Sequence, residues 1–371
     1  MVFNTQMTFF NQTPAVPDTE GIKYAGSKLK IIPYIISLIQ NLKDIHSVLD
    51  GFSGTTRVSQ AFAQLGYDTT ANDISTWSEV FAQCYLIANK RTKYYQDLLD
   101  HLNNLHGYAG WFSQNYGGTE EDKKKPFQLK NTMKLDAIRD EIDKLQLSIP
   151  DKSVVLTSLI LAMDRVDSTI GHYASYLSQW SKRSYNDMKL IVPRKFDITT
   201  NNNVIKDDIF NTIATKEYDL AYFDPPYGSN NDKMPPSRVR YNSYYHIWTS
   251  IILNDKPRLF GKANRRTDSR DTVNPSLFEE YKKDENGKFI AMKALDKLIK
   301  DTKARYIILS YSSGGRATKQ DLMDILTTQG KTTKILEIDY KKNVMSNMCW
   351  TSEWINTDDE HKEYLFLLEK K

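Results

Sequence analysis

The sequence predicts an α/β protein: a mostly parallel sheet with helices on both faces, interrupted by a mainly helical middle segment. Three observations point to this class. Short runs that end in turn residues recur at 47–50, 68–74 and 203–208, each followed by a stretch of helical period. The run Leu220-Ala221-Tyr222-Phe223 is bulky and uncharged, as suits a strand covered on both faces, and Pro226 must end it because proline has no N–H for a ladder. From about Arg91 to Asn202 the strand–helix alternation stops, and long helical patterns such as Lys130 to Leu147 and Val154 to Arg165 replace it. The chain therefore divides into 1–90, an insertion at 91–202 with a small core of its own, and 203–371.

A chain of 371 residues is long enough to bury a full core. Its two cysteines, Cys84 and Cys349, have no paired spacing, which supports neither a zinc cluster nor a disulfide framework and favours a reducing, cytoplasmic setting. No apolar run approaches the roughly 18 residues that span a bilayer, and residues 1–13 lack a signal layout. The net charge of +4 is unevenly placed. Ser229 to Asp271 holds nine Lys or Arg against four Asp, and Gly171 to Lys195 holds five against one. Basic segments interleaved with Tyr and Trp suit a phosphate backbone and exposed bases.

In chain order, residues 1 to about 20 read as a flexible lead-in. Lys23-Tyr24-Ala25-Gly26-Ser27-Lys28 then opens an amphipathic helix marked by Ile31, Ile32, Ile35, Ile36 and Ile39, and free N–H groups at such a start favour an anion. Ser47 to Asp50 is a strand, Gly51-Phe52-Ser53-Gly54 a tight turn, and a helix follows from about Thr55 to Leu65. A dinucleotide fold competes here, but the glycine spacing is not Gly-x-Gly-x-x-Gly. The second strand ends at Asn72-Asp73, where an acid is placed to accept ribose hydroxyls. A helix from Trp77 to Lys90 packs on the sheet. Within the insertion, Tyr116 to Pro126 reads as a lysine-bearing loop, and Gly171 to Arg183 mixes rings, small polar residues and charge, as segments that read base edges do. Asn203 to Asp208 restarts the sheet. Arg305 to Ser310, Lys331 to Tyr340 and Glu363 to Leu368 supply the later strands.

The turn Asp224-Pro225-Pro226-Tyr227-Gly228 sits at the carboxyl edge of its strand, where open parallel sheets bind ligands. Two prolines fix two φ angles and leave carbonyls free as acceptors beside the Asp224 carboxylate. An aromatic exocyclic amine could give one hydrogen to Asp224 and one to the Pro225 carbonyl while Tyr227 stacks on its ring. His246 also falls near this region, but an amine attacking a sulfonium needs no strong base.

Asp-Pro-Pro-Tyr, the Asp50-Gly51-Phe52-Ser53-Gly54 turn and Lys23 to Lys28 together resemble the motifs of S-adenosylmethionine-dependent, adenine-specific (N6) DNA methyltransferases of the D12-like class. The resemblance covers about 21–90 and 203–370, in the motif order cofactor, recognition, catalysis. It implies a Rossmann-like, seven-stranded, mostly parallel sheet with an antiparallel edge and an inserted target-recognition domain. It further implies S-adenosyl-L-methionine as cofactor, double-stranded DNA as partner, a place in either a restriction-modification system with a companion restriction endonuclease or an epigenetic system, and no metal. By the same resemblance, Tyr24 and Lys28 contact the methionine end of the cofactor. Asp50, Phe52, Ser53, Gly54, Thr55 and Thr56 form its main cradle, with Thr56 in place of a glycine. Asp73 with Ile74 holds the ribose. Asp207 or Asp208 meets the adenine amino group, and Asp208 is favoured because Ile209 and Phe210 then begin a helix. Asp224, Pro225, Pro226 and Tyr227 carry catalysis, with Asp224 also facing the cofactor. Candidate DNA contacts are Tyr173, Lys182, Arg183, Arg238, Arg240, Tyr244, Lys262 and Arg265. Four rival readings remain: cytosine-amine methylation, a structured-RNA target, a glutamine amide in a protein, the last two less suited to a basic insertion, and a catalytically silent DNA-binding partner subunit.

Overall fold

The computed structural model describes residues 16–122, 125–229, 240–270, 273, 276–339 and 362–371. Seven strands form one sheet: β1 (Ser47–Asp50), β2 (Asp68–Asn72), β3 (Asn203–Ile205), β4 (Tyr218–Phe223), β5 (Ala304–Ser312), β6 (Gly330–Asp339) and β7 (Lys362–Lys370). Their spatial order is β6-β7-β5-β4-β1-β2-β3. Neighbours from β3 to β5 pair in parallel, while β7 is antiparallel to both β5 and β6. The order reverses between β1 and β4, so their carboxyl ends open the crevice in which such sheets bind ligands.

The faces of β4 show why this run is a central strand. Leu220 and Tyr222 point to one side, where α1 (Ile32–Ile39) and α2 (Arg57–Gln64) bring Ile32, Ile36 and Phe62. Ala221 and Phe223 point to the other, against α8 (Ile209–Thr215), α11 (Ala291–Asp301) and α12 (Lys319–Gln329). Both layers are fully apolar, which is why the run carries no polar alternation.

The remaining helices are α3 (Thr76–Ala82), α4 (Thr92–Asn103), α5 (Trp111–Tyr116), α6 (Leu129–Lys144), α7 (Ile149–Val166), α9 (Tyr241–Tyr244) and α10 (His246–Leu253). The helix expected over Trp77 to Lys90 changes winding at Gln83–Ile87, a π turn. The middle helices do not close a core by themselves. Leu99, Leu135, Ile138 and Leu159 pack in one cluster with Trp77 and Tyr85 from before them and Tyr245, Trp248 and Ile251 from beyond the turn at 224–228. Chain outside the sheet thus anchors the insertion directly beside the crevice.

Two expectations need correction. Residues 18–22 are tied down rather than loose: the Glu20 N–H donates to Gln60 Oε1 at 2.9 Å, and the Glu20 carboxylate accepts from Tyr85 Oη and Arg194 N. Helix α2 begins at Arg57, not Thr55, because Thr56 adopts a left-handed conformation (φ 61°) as its cap. Residues 1–15, the first part of the basic run after Ser229 (230–239) and the segment 340–361 lie outside the described residues. Among the described residues no helix is long and apolar enough to cross a membrane.

Candidate active site

Two turns meet at the crevice. The first follows β1: the Gly51 N–H donates to the Tyr222 carbonyl at 2.9 Å, and the Ser53 N–H to the Asn72 carbonyl at 2.9 Å, so neighbouring strands fix its path. Gly54 takes φ 50°, which a residue with a Cβ adopts only at a cost. Thr56 bears that cost at the position where a glycine was expected. Buried completely, its hydroxyl is satisfied by donating to the Thr55 carbonyl and accepting from Gln60 Nε2.

The second turn follows β4 and is clamped by the end of β5. The Arg316 N–H donates to the Tyr227 carbonyl at 2.9 Å, the Tyr227 and Tyr311 rings lie 5.3 Å apart, and Gly228 takes φ 58° against the Arg316 side chain. Arg316 itself is buried and donates to the Glu279 carbonyl. Asp224 sits at the head of this turn with Lys28 Nζ 2.9 Å from Oδ1.

A cavity of about 380 Å³ runs between the turns. At one end Phe210 and Phe278 stack with centroids 5.8 Å apart, Phe52 meets Phe278 edge-on, and Asp207 and Asp208 lie beside them. This is an aromatic slot with acceptors at its rim. Asp208 caps α8 through the Phe210 N–H, while Asp207 accepts from Asn211 Nδ2 and the Asp208 N–H. In the middle, Asp73 accepts from Gly54 N–H at 2.8 Å and from the Ser75 N–H and hydroxyl, and Ile74 beside it is 67% exposed. At the other end Tyr24 stacks between Tyr241 and Tyr245, at 5.2 and 4.7 Å. Asp224 and Pro226 close that end.

Burial dominates the electrostatics here. Asp50, whose Oδ1 has no hydrogen-bond partner, is pushed up to about 7 by burial, with the Ser59 hydroxyl at 2.5 Å pulling the other way. Asp224 is likewise raised to about 7 by burial, against the pull of Lys28. Burial alone would lower Lys28, but Asp224 and Glu363 outweigh it and hold its ammonium well above the ordinary lysine value. His246 is a core residue, pulled down to about 3 by burial, with Nε2 against the Tyr173 carbonyl.

The candidate DNA contacts separate. Tyr173 is 1% exposed and packs on Trp248 and Phe127, so it is core and not a base contact. Its phenol-bearing segment looked like a surface one because aromatic residues serve both ends. Arg183 is held by Asp167 at 2.7 Å and by the Thr169 carbonyl. Tyr244 stacks on His172 at 4.3 Å. Lys182 and Lys262 are exposed, Arg240 lines the cavity, and Arg238 lies outside the described residues. Arg265 lies over the Phe260 ring at 4.6 Å and donates to the Ser243 hydroxyl, which itself borders the cavity. Sequence reasoning missed Phe278, Tyr241 and Glu363: no turn or glycine signal marks them, and only the fold brings them in.

A family model described as D12 class N6 adenine-specific DNA methyltransferase matches residues 24–318. The chain belongs to this family. Its sheet and helices accord with the class I methyltransferase fold. Among relatives, the modification methylase StsI of Streptococcus sanguinis is 27% identical over 94% of this chain and 52% of that protein. The type II methyltransferase M.FokI of Planomicrobium okeanokoites is 26% identical over 94% and 53%, and the type II methyltransferase M.NlaIII of Neisseria lactamica 25% over 94% and 99%. The chain thus spans about half the length of the first two and nearly all of the third. A D12 methyltransferase needs a methyl donor.

Proposed function

We propose that the chain transfers a methyl group from S-adenosylmethionine to the exocyclic amine of adenine in a specific double-stranded DNA sequence. The observation that carries this reading is the Asp224-Pro225-Pro226-Tyr227 turn closing a cavity whose far end is an aromatic slot rimmed by carboxylates. The residues suit S-adenosylmethionine: Phe52, Phe210 and Phe278 for its adenine, Asp207 or Asp208 for the adenine amine, and Asp73 for the ribose. Tyr24 and Lys28 stand at the methionine end. Gly54, whose Cβ would meet the Tyr24 ring at 3.4 Å, leaves the space open. When bound, the cofactor supplies an electrophilic methyl on a sulfonium.

A base inside a duplex cannot reach this cavity, so the adenine must leave the stack. Tyr227 then holds it by its face. Adenine's amine is a poor nucleophile because its lone pair is delocalised into the ring. Hydrogen bonds to the Asp224 carboxylate and the Pro225 carbonyl favour the pyramidal nitrogen needed for attack, so catalysis is mainly placement and electrostatics. The insertion at 91–202 carries target recognition, with Lys182, Arg240, Tyr244, Lys262 and Arg265 along the DNA path. The enzyme works in the cytoplasm beside a companion restriction endonuclease.

Transfer of radiolabelled methyl groups to DNA by wild-type and Asp224→Ala protein tests this. Full activity in the variant rules out the assigned role. Hydrolysis of the product and identification of the modified base separates adenine from cytosine. A protein that binds the cofactor yet methylates no DNA is the silent partner instead.

A further inference from the structure

The Lys28 ammonium is shared between two acids. It lies 2.9 Å from Asp224 Oδ1 and 3.0 Å from Glu363 Oε1, and that same glutamate oxygen accepts from the Ser310 hydroxyl at 2.6 Å. Lys28 precedes α1, Asp224 follows β4, Glu363 lies in β7 and Ser310 in β5, so four separate parts of the chain meet at this point. All three charges are sheltered: the side chains of Lys28, Asp224 and Glu363 are 8, 17 and 7% exposed. Two carboxylates around one ammonium leave the group with an excess negative charge where water cannot disperse it. Glu363 also lies outside the stretch that the family match covers.

Building on the methylation reading above, we propose that Glu363 is a positioning residue: it shares Lys28 with Asp224 and so leaves the Asp224 carboxylate only partly neutralised, able to accept a hydrogen bond from the target amine. Ser310 fixes Glu363 for this task. If Glu363 lost its charge, the ammonium would belong to Asp224 alone, and a fully paired carboxylate is a weaker acceptor. The other ionisable groups around Asp224 do not compete for it in the same way. Tyr222 of β4, Tyr24 before α1 and Tyr241 of α9 are phenols held neutral by burial, and Asp50 and Asp73 are carboxyls on the neighbouring turns. Glu363 is the acid that meets the same ammonium.

The test is a 13C NMR titration of aspartate carboxyl groups in the protein without cofactor, with the Asp224 signal identified by its loss in Asp224→Asn. In Glu363→Gln the Asp224 midpoint should fall by about one pH unit, because a like charge has gone and the lysine is no longer divided. Turnover on DNA should fall about tenfold with KM for DNA unchanged, and Glu363→Asp should recover part of it. An Asp224 midpoint that stays in place overturns the proposal. If the midpoint moves but wild-type protein methylates no DNA, the methylation reading fails while the charge sharing stands. Should Glu363→Gln not fold, Ser310→Ala unties the glutamate without removing a charge: a shifted Asp224 midpoint supports the proposal and an unshifted one overturns it.

Discussion

Gly51 and Phe223 touch so closely that a Cβ added to the glycine would lie 2.6 Å from the ring carbons. The two functional turns are therefore packed against each other through a missing side chain. Ile209 stands 2.9 Å away on another side, so neither neighbour can retreat into space. Gly51→Ala should lower stability by about 1–3 kcal/mol and weaken cofactor binding, as read by thermal melting and equilibrium dialysis.

Asp50 predicts the direction of pH dependence. Its folded carboxyl keeps its proton until about pH 7, whereas an unfolded aspartate loses it near its ordinary value of 3.8. Between these values the folded form binds more protons, so stability declines as pH rises through the window. Asp50→Asn should flatten that decline and melt higher than wild type at pH 8. Equal slopes in the two melting series would show that Asp50 ionises normally.

Asp73 already accepts three hydrogen bonds from the Gly54 and Ser75 groups and faces the middle of the cavity. Asp73→Asn removes the charge that would meet a ribose. Cofactor affinity should drop about 10- to 100-fold by calorimetry, in line with the strength of charged hydrogen bonds.

Lys262 and Arg265 should act on DNA through charge. Changing either to Ala is expected to weaken binding to all sequences alike, and to reduce the dependence of log affinity on log salt by about 0.9 per lost phosphate contact. Arg265→Ala adds a second effect, because its guanidinium also touches Ser243 at the cavity rim. Fluorescence anisotropy across a salt series reads both.

Tyr173 behaves as packing. Tyr173→Phe should leave DNA affinity unchanged, and Tyr173→Ala should cost about 3–5 kcal/mol of stability by emptying the space between Phe127 and Trp248. A loss of DNA affinity in the Phe variant would return the residue to the interface.

Much of this was legible in the sequence because it is written locally. The apolar run into Asp224-Pro225, the Gly51 to Gly54 turn and the acids after β2 and β3 each combine a period with a turn residue, and Gly51, Phe52, Gly54, Asp73, Asp207, Asp208 and Asp224 border the cavity. What escaped depends on distance along the chain. Phe278 lies in a short turn of no periodicity, and Glu363 stands between Lys362 and Tyr364 at the start of an apolar run, where nothing local sets it apart. Tyr173 shows the opposite failure: a polar neighbourhood disguised a ring that fills the core.

The position of β7 has a consequence for how the site comes into being. Because that strand slots between β5 and β6, and Lys28 meets Glu363 on it, synthesis must have passed β7 before the charges around Asp224 can be assembled. The cluster thus forms late, through contacts far apart along the chain, and a fragment holding only β1 to β5 lacks the second acid that shares the Lys28 ammonium.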